Sequence, residues 1–217
     1  HGFHAFDPYH VEVSQSRFYN VTRPFTELSY LLASKREQNI GVFHTQNIRY
    51  NWNFSIDYRM VNAPGIFKNQ KNSHDRYLLN TWHRSKNNRY FLFVAAGSSK
   101  TGSSENGGIA DLSLMKDIPA FSDRFSLPTN LGGNQFESRT LLSNIINTGN
   151  TYQRKQFLVR QSYDFGRRDS VKTDTAFSYF FVPRFRIQYT YCFQQDLYRF
   201  ADTRVDTAGY KIGRAHV

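Results

Sequence analysis

The sequence predicts an all-β protein, built from antiparallel up-and-down strands of the kind that close into a transmembrane β-barrel. Here they should form an incomplete sheet, open and curved. Three observations predict it. Side chains alternate between apolar and polar with a period of two. The clearest runs match the roughly 9–11 residues of a tilted membrane strand better than the five or six of an average soluble one. Their apolar faces are crowded with aromatics, 20 Phe and 14 Tyr in 217 residues, as the interfacial girdles of membrane barrels require.

Phe25 to Leu32 and Asn39 to Ile48 are the first two predicted strands, with partial alternation. Trp52 to Met60 is clear: Trp52, Phe54, Ile56, Tyr58 and Met60 share one face, and Asn53, Ser55, Asp57 and Arg59 the other. A helix would scatter both sets around its axis. Arg76 to Arg84 is weaker. Asn88 to Ala96 is apolar on both faces, with Tyr90, Leu92 and Val94 backing onto Phe91, Phe93 and Ala95. Such a strand lies under something folded inside the barrel, or is not a strand. Gln156 to Gly166 sets Phe157, Val159, Tyr163 and Phe165 against Leu158, Arg160, Ser162 and Asp164. In Arg184 to Gln194, Phe185, Ile187, Tyr189, Tyr191 and Phe193 oppose Arg184, Arg186, Gln188, Thr190, Cys192 and Gln194.

The connections alternate in length. Short turns fall near Arg49–Asn51 and Ser85–Asn87, and longer links run from Val61 to Asp75 and from Gly97 to Tyr152. Counting strands puts the short turns on one side and the long links on the other, the asymmetry of outer-membrane barrels. The connection near Arg167–Thr175 falls on the short side yet is longer than that rule expects. The 97–152 link is rich in Gly, Ser and Asn, contains Pro119 and Pro128, and has a helix-like patch at Leu141, Leu142, Ile145 and Ile146. It reads as an extracellular loop with some local structure, a lumenal plug being the alternative.

On this reading Trp52, Phe54, Ile56, Tyr58, Phe185, Ile187, Tyr189 and Tyr191 face lipid on the convex side. Asp57, Arg59, Arg160, Asp164, Arg184 and Arg186 line the pore on the concave side. The formal charge is +11, from 28 Lys and Arg against 17 Asp and Glu. In a soluble protein, basic residues interleaved with aromatics would suggest nucleic acid. Here the aromatics are taken up by long alternating strands, so no nucleic-acid partner is expected. The basic excess instead meets the lumen, solvent or anionic headgroups. The four named arginines against two named aspartates predict a mild anion preference.

No chemistry of another kind is expected. His1 and His4 have metal-compatible spacing without a clear third ligand, and His10, His44, His74 and His83 are scattered, so no metal site is predicted. No motif joins a Ser or Cys nucleophile to a base and an orienting group, and no catalytic residue is assigned. Ser98-Ser99-Lys100-Thr101 lacks the full spacing of a phosphate loop. The single cysteine, Cys192, excludes an intrachain disulfide framework. No cofactor is implied.

Five segments in order carry a resemblance: Tyr19 to Tyr30, Phe43 to Ile48, Pro64 to Gln70, Ser85 to Tyr90 and Glu105 to Ile109. They resemble the Putative porin family of the Bacteroidetes outer membrane, over about Phe6 to Asp202. The resemblance implies an outer-membrane barrel that passes small solutes by passive diffusion, has no catalytic residues to transfer, and contacts outer-membrane lipid and lipopolysaccharide. The chain reads as a fragment, 1–210 being partial barrel. Residues 211–217 are set apart because Ile212 to Val217 matches the translation of a common sequencing-library adapter. Two other functions stay open: a secreted β-sandwich that holds glycan on aromatic strands, and part of an active outer-membrane transporter barrel.

Overall fold

The computed structural model describes residues 9–10, 12–115, 119, 122–132, 145–173 and 176–202. Leu141 and Leu142, His1 and His4, and the 211–217 tail lie outside the described residues. Seven strands form one open sheet in sequence order, each antiparallel to the next. They are β1 (Phe25–Leu32), β2 (Gln38–Arg49), β3 (Trp52–Ala63), β4 (Asn72–Arg84), β5 (Tyr90–Ser104), β6 (Gly149–Thr173) and β7 (Ala176–Ala201). The sheet edges are β1 and β7. Each of the seven predicted segments forms a strand in this sheet, the fifth without Asn88 and Arg89, which belong to the β4–β5 turn; this is the incomplete all-β up-and-down arrangement expected.

Most strands run further than alternation alone marked. β5 continues from Gly97 to Ser104, residues of low strand propensity. They are held because β5 is paired on both sides: Gly97 faces Leu78 of β4 and Gln156 of β6, and Thr101 faces His74 and Tyr152. The β5–β6 connection is therefore 105–148, shorter than the 97–152 link of the sequence reading. β6 and β7 likewise continue to Thr173 and resume at Ala176, which removes the overlong connection near Arg167–Thr175. The alternation was hard to follow there because the register shifts between Phe165 and Gly166: Phe165 pairs with Phe185 and Gly166 with Pro183. One extra residue, Arg184, is accommodated on β7, the signature of a bulge.

The turns at one end of the strands, the short-turn edge, are tight and tied together. Tyr50 and Asn51 connect β2 to β3. The Asn51 side-chain amide donates to the Arg84 carbonyl at 2.6 Å, and the Arg84 N–H donates to the Asn51 carbonyl at 2.8 Å. The β4–β5 turn places Asn88 at φ +55°, a left-handed conformation that Asn tolerates. There the Ser85 hydroxyl accepts from the N–H groups of Arg89 and Tyr90. At the opposite end of the strands, 64–71 packs on the described parts of 105–148. The Asn69 amide donates to the Leu131 carbonyl at 2.9 Å, and the Lys71 ammonium to the Ile145 carbonyl at 3.3 Å. Phe125 and Leu127 are buried among these loops.

Candidate functional site

The strand register divides the sheet into two unlike faces. On one, Trp52 stands beside His83, Ile56 beside His44 and Leu79, and Tyr58 beside Val42 and Tyr77. The same face continues through Val94, Val159 and Tyr191, and through Tyr90, Tyr163 and Ile187. It is widely exposed: Leu28 at 74%, Leu79 at 50% and Tyr189 at 61%. Trp52, Phe54, Ile56, Tyr58, Phe185, Ile187, Tyr189 and Tyr191 all share it by register. Towards the long-loop edge it turns polar, through Asp75, Lys100 and Gln153.

The other face is polar and charged. One transverse row runs Gly41, Arg59, Arg76, Ser99, Arg154 and Asp196 across β2 to β7. Arg59 and Arg76 are directly opposite each other, a like-charge pairing that costs energy in isolation. Asp57, two residues along β3, offsets it by accepting from the Arg76 guanidinium at 2.9 Å. Arg154 is held by Asp196 at 2.7 Å and approaches Glu12 at 3.8 Å. Of this row, alternation had identified Arg59 alone. Arg76 stood at the start of a weak segment, and Arg154 lay two residues before the marked start of β6. Extending the β6 alternation backwards through Gln156, Arg154 and Tyr152 is the signal that finds Arg154.

The six predicted pore-lining residues are not one cluster. Asp57 and Arg59 belong to the row just described. Arg160 reaches the Thr190 hydroxyl at 3.4 Å. Asp164 and Arg186 form a two-pronged pair, 2.5 and 2.7 Å, near the short-turn edge. Ten residues of β6 separate Arg154 from Asp164, about 33 Å at strand rise. Arg184 falls at the bulge and has no partner in the ladder.

A second component of this face gave no period-two signal. Residues 9–10 and 12–24 cross it as a strap, from β6 to β2. Val13 is 2% exposed and packs with Ala95 and Leu158, with Phe18 and Leu78 around them. Its N–H donates to the Gln156 side-chain oxygen at 3.1 Å. His10 meets the Ser99 hydroxyl at 2.8 Å, and its ring stands edge-on to Tyr152. Phe18 stands edge-on to Phe93, with centroids 5.0 Å apart. The Asn80 amide donates to the Arg17 carbonyl, and the Trp82 indole to the Tyr19 carbonyl. Tyr19 packs on Phe43, and Asn20 takes a hydrogen bond from Asn47 at 2.7 Å. This strap is what β5 lies under, which explains why that strand is apolar on both faces.

The arrangement is a charged face partly filled by a fixed segment, backed by an apolar face. Among the described residues no helix is long and apolar enough to cross a membrane, which leaves strands untouched by that criterion. A family model described as Putative porin matches residues 1–216. No curated relative and no solved structure matches the chain.

Proposed function

We propose that this chain, which belongs to the Putative porin family, is part of an outer-membrane channel for passive diffusion of small solutes. The observation that carries this reading is the contrast between the two faces. An exposed apolar face of Leu, Ile, Tyr and Phe suits hydrocarbon. The charged face suits water, since unpaired charge at the bilayer centre is costly. On this proposal Trp52, Phe54, Ile56, Tyr58, Phe185, Ile187, Tyr189 and Tyr191 face lipid. Asp57, Arg59, Arg160, Asp164 and Arg186 face the lumen with Arg76 and Arg154.

The strap then has a role. It occupies the lumenal face where the basic row crosses it, so it narrows the path and places solutes beside Arg59, Arg76 and Arg154. Rings of charged side chains at a constriction set which ions pass. The test is conductance in planar bilayers, compared with a variant lacking residues 9–22. Discrete conductance steps, enlarged in the variant, are expected. Bilayers that stay as tight as protein-free lipid would overturn the channel reading. Equal step sizes would overturn the constriction alone.

A further inference from the structure

On the apolar face, at the short-turn edge, a cavity of about 700 Å³ opens between the β2–β3 and β4–β5 turns. Its cationic rim is Arg49 and Lys86, and its wall includes Trp52, Thr81, His83 and Leu92. We propose that this cavity holds the headgroup of an anionic glycerophospholipid. The inference rests on the reading that the apolar face meets a bilayer.

The charge is one-sided: two cations and an imidazole line the cavity, with no carboxylate among the described lining residues. An ammonium and a guanidinium lining one cavity match a phosphate diester, the guanidinium offering its donors as a planar fork. The wall is the continuation of the apolar face. Trp52 pairs with His83, which pairs with Leu92, and the next row is Phe54, Thr81 and Val94. A bound anion would thus have a hydrocarbon path leading away from it, which suits a lipid and offers nothing to a free ion. The Trp52 indole N–H is already committed to the Thr81 hydroxyl at 3.0 Å, so its ring is held as a wall. The two turns that carry Arg49 and Lys86 are joined at Asn51 and Arg84, so their backbones are held in fixed relation. Strands β2 to β5 are all paired on both sides, so the strands that bear these lining residues have their neighbours within this sheet. Short turns mark the periplasmic side of an outer-membrane barrel, which puts the site at the phospholipid leaflet.

Trp52 is the reporter. The full chain is reconstituted in vesicles containing phosphatidylglycerol or phosphatidylcholine with brominated acyl chains, and tryptophan quenching is measured. The second tryptophan, Trp82, lies on the other face and is bonded to the strap, so it supplies a constant background. Trp52→Phe should abolish the quenchable signal. We expect phosphatidylglycerol to associate about fivefold more strongly per basic rim residue. The preference should vanish in Arg49→Gln/Lys86→Gln and persist in Lys100→Gln, on the same face at the opposite edge. Equal quenching by the two lipids, or a preference indifferent to the rim substitutions, overturns the proposal and leaves the membrane reading standing. No quenching by either lipid overturns the membrane placement as well. Loss of the preference when inorganic phosphate is added assigns the site to free phosphate, which also overturns it.

Discussion

Asp164 is 3% exposed and is satisfied by both prongs of the Arg186 guanidinium, whose carbon also stands 5.5 Å from the centre of the Phe91 ring. Such a pair contributes little net charge to its surroundings, so Arg186 is a weaker source of anion preference than its position on the polar face suggests. Arg59 and Arg160 have no carboxylate within ion-pair distance among the described residues. The selectivity prediction therefore belongs to them. Under a salt gradient the unmodified channel is expected to show mild anion preference, and Arg59→Glu/Arg160→Glu should move the reversal potential towards cation preference. An unmoved potential would remove these two residues from the filter. Arg186→Glu should instead act on folding. It sets a second carboxylate beside Asp164, where removing the partner of a buried charge is strongly destabilising. Protease resistance in detergent is expected to fall in Arg186→Glu and to recover in Asp164→Asn/Arg186→Gln. If the single variant folds like the parent, the pair does not hold β6 to β7.

At the scale of elements, strands and strap were unequally legible in the sequence. β3 and the middle of β7 could be read because every second residue answers to one environment and the intervening ones to another. Gly97 to Ser104 could not, because pairing with β4 and β6 holds that stretch and no side-chain preference records it. The strap was hidden for a different reason. Much of its attachment uses backbone, the carbonyls of Arg17 and Tyr19 and the N–H of Val13, and backbone groups leave no mark on residue identity. Its one trace was indirect, the two apolar faces of β5. Gly97 is part of the same fit: a Cβ there would meet the Val13 Cγ1 at 3.0 Å. Gly97→Leu should therefore lift the strap from β5 with the sheet intact, giving larger conductance steps at unchanged strand content by circular dichroism. Unchanged steps would mean that the strap does not narrow the path. The apolar face carries its own prediction. Ile56→Lys or Ile187→Lys should cost about 2–4 kcal/mol in a bilayer folding titration if the site lies at midplane, because the ammonium must leave water. A cost near zero would take these residues out of the hydrocarbon.

At the scale of the whole sheet, the described residues leave one face partly filled by the strap and the other uncovered. Soluble monomers rarely expose a contiguous apolar patch beyond a few hundred Å². A glycan-binding sandwich would bury such a face against a second sheet about 10 Å away, yet the described residues form a single sheet. On the proposed reading hydrocarbon covers that face, and the strand edges restrict how it is entered. Among the described residues nothing pairs with the outer edge of β7, 26 residues long, or with that of β1, eight long. Within hydrocarbon every backbone N–H and C=O must be satisfied inside protein, which is why sheets cross membranes only when closed. Two consequences can be measured together. The protein should sediment with membranes through an alkaline wash and enter solution only with detergent. In the membrane-inserted protein, amides on the side of β7 that faces away from β6 should resist hydrogen exchange as well as those of β3 and β4, because further strands must pair them. Free release by the alkaline wash would favour the sandwich. Membrane retention with rapid exchange along that edge of β7 would mean that the sheet sits at the interface unclosed, and the channel reading would fail with it.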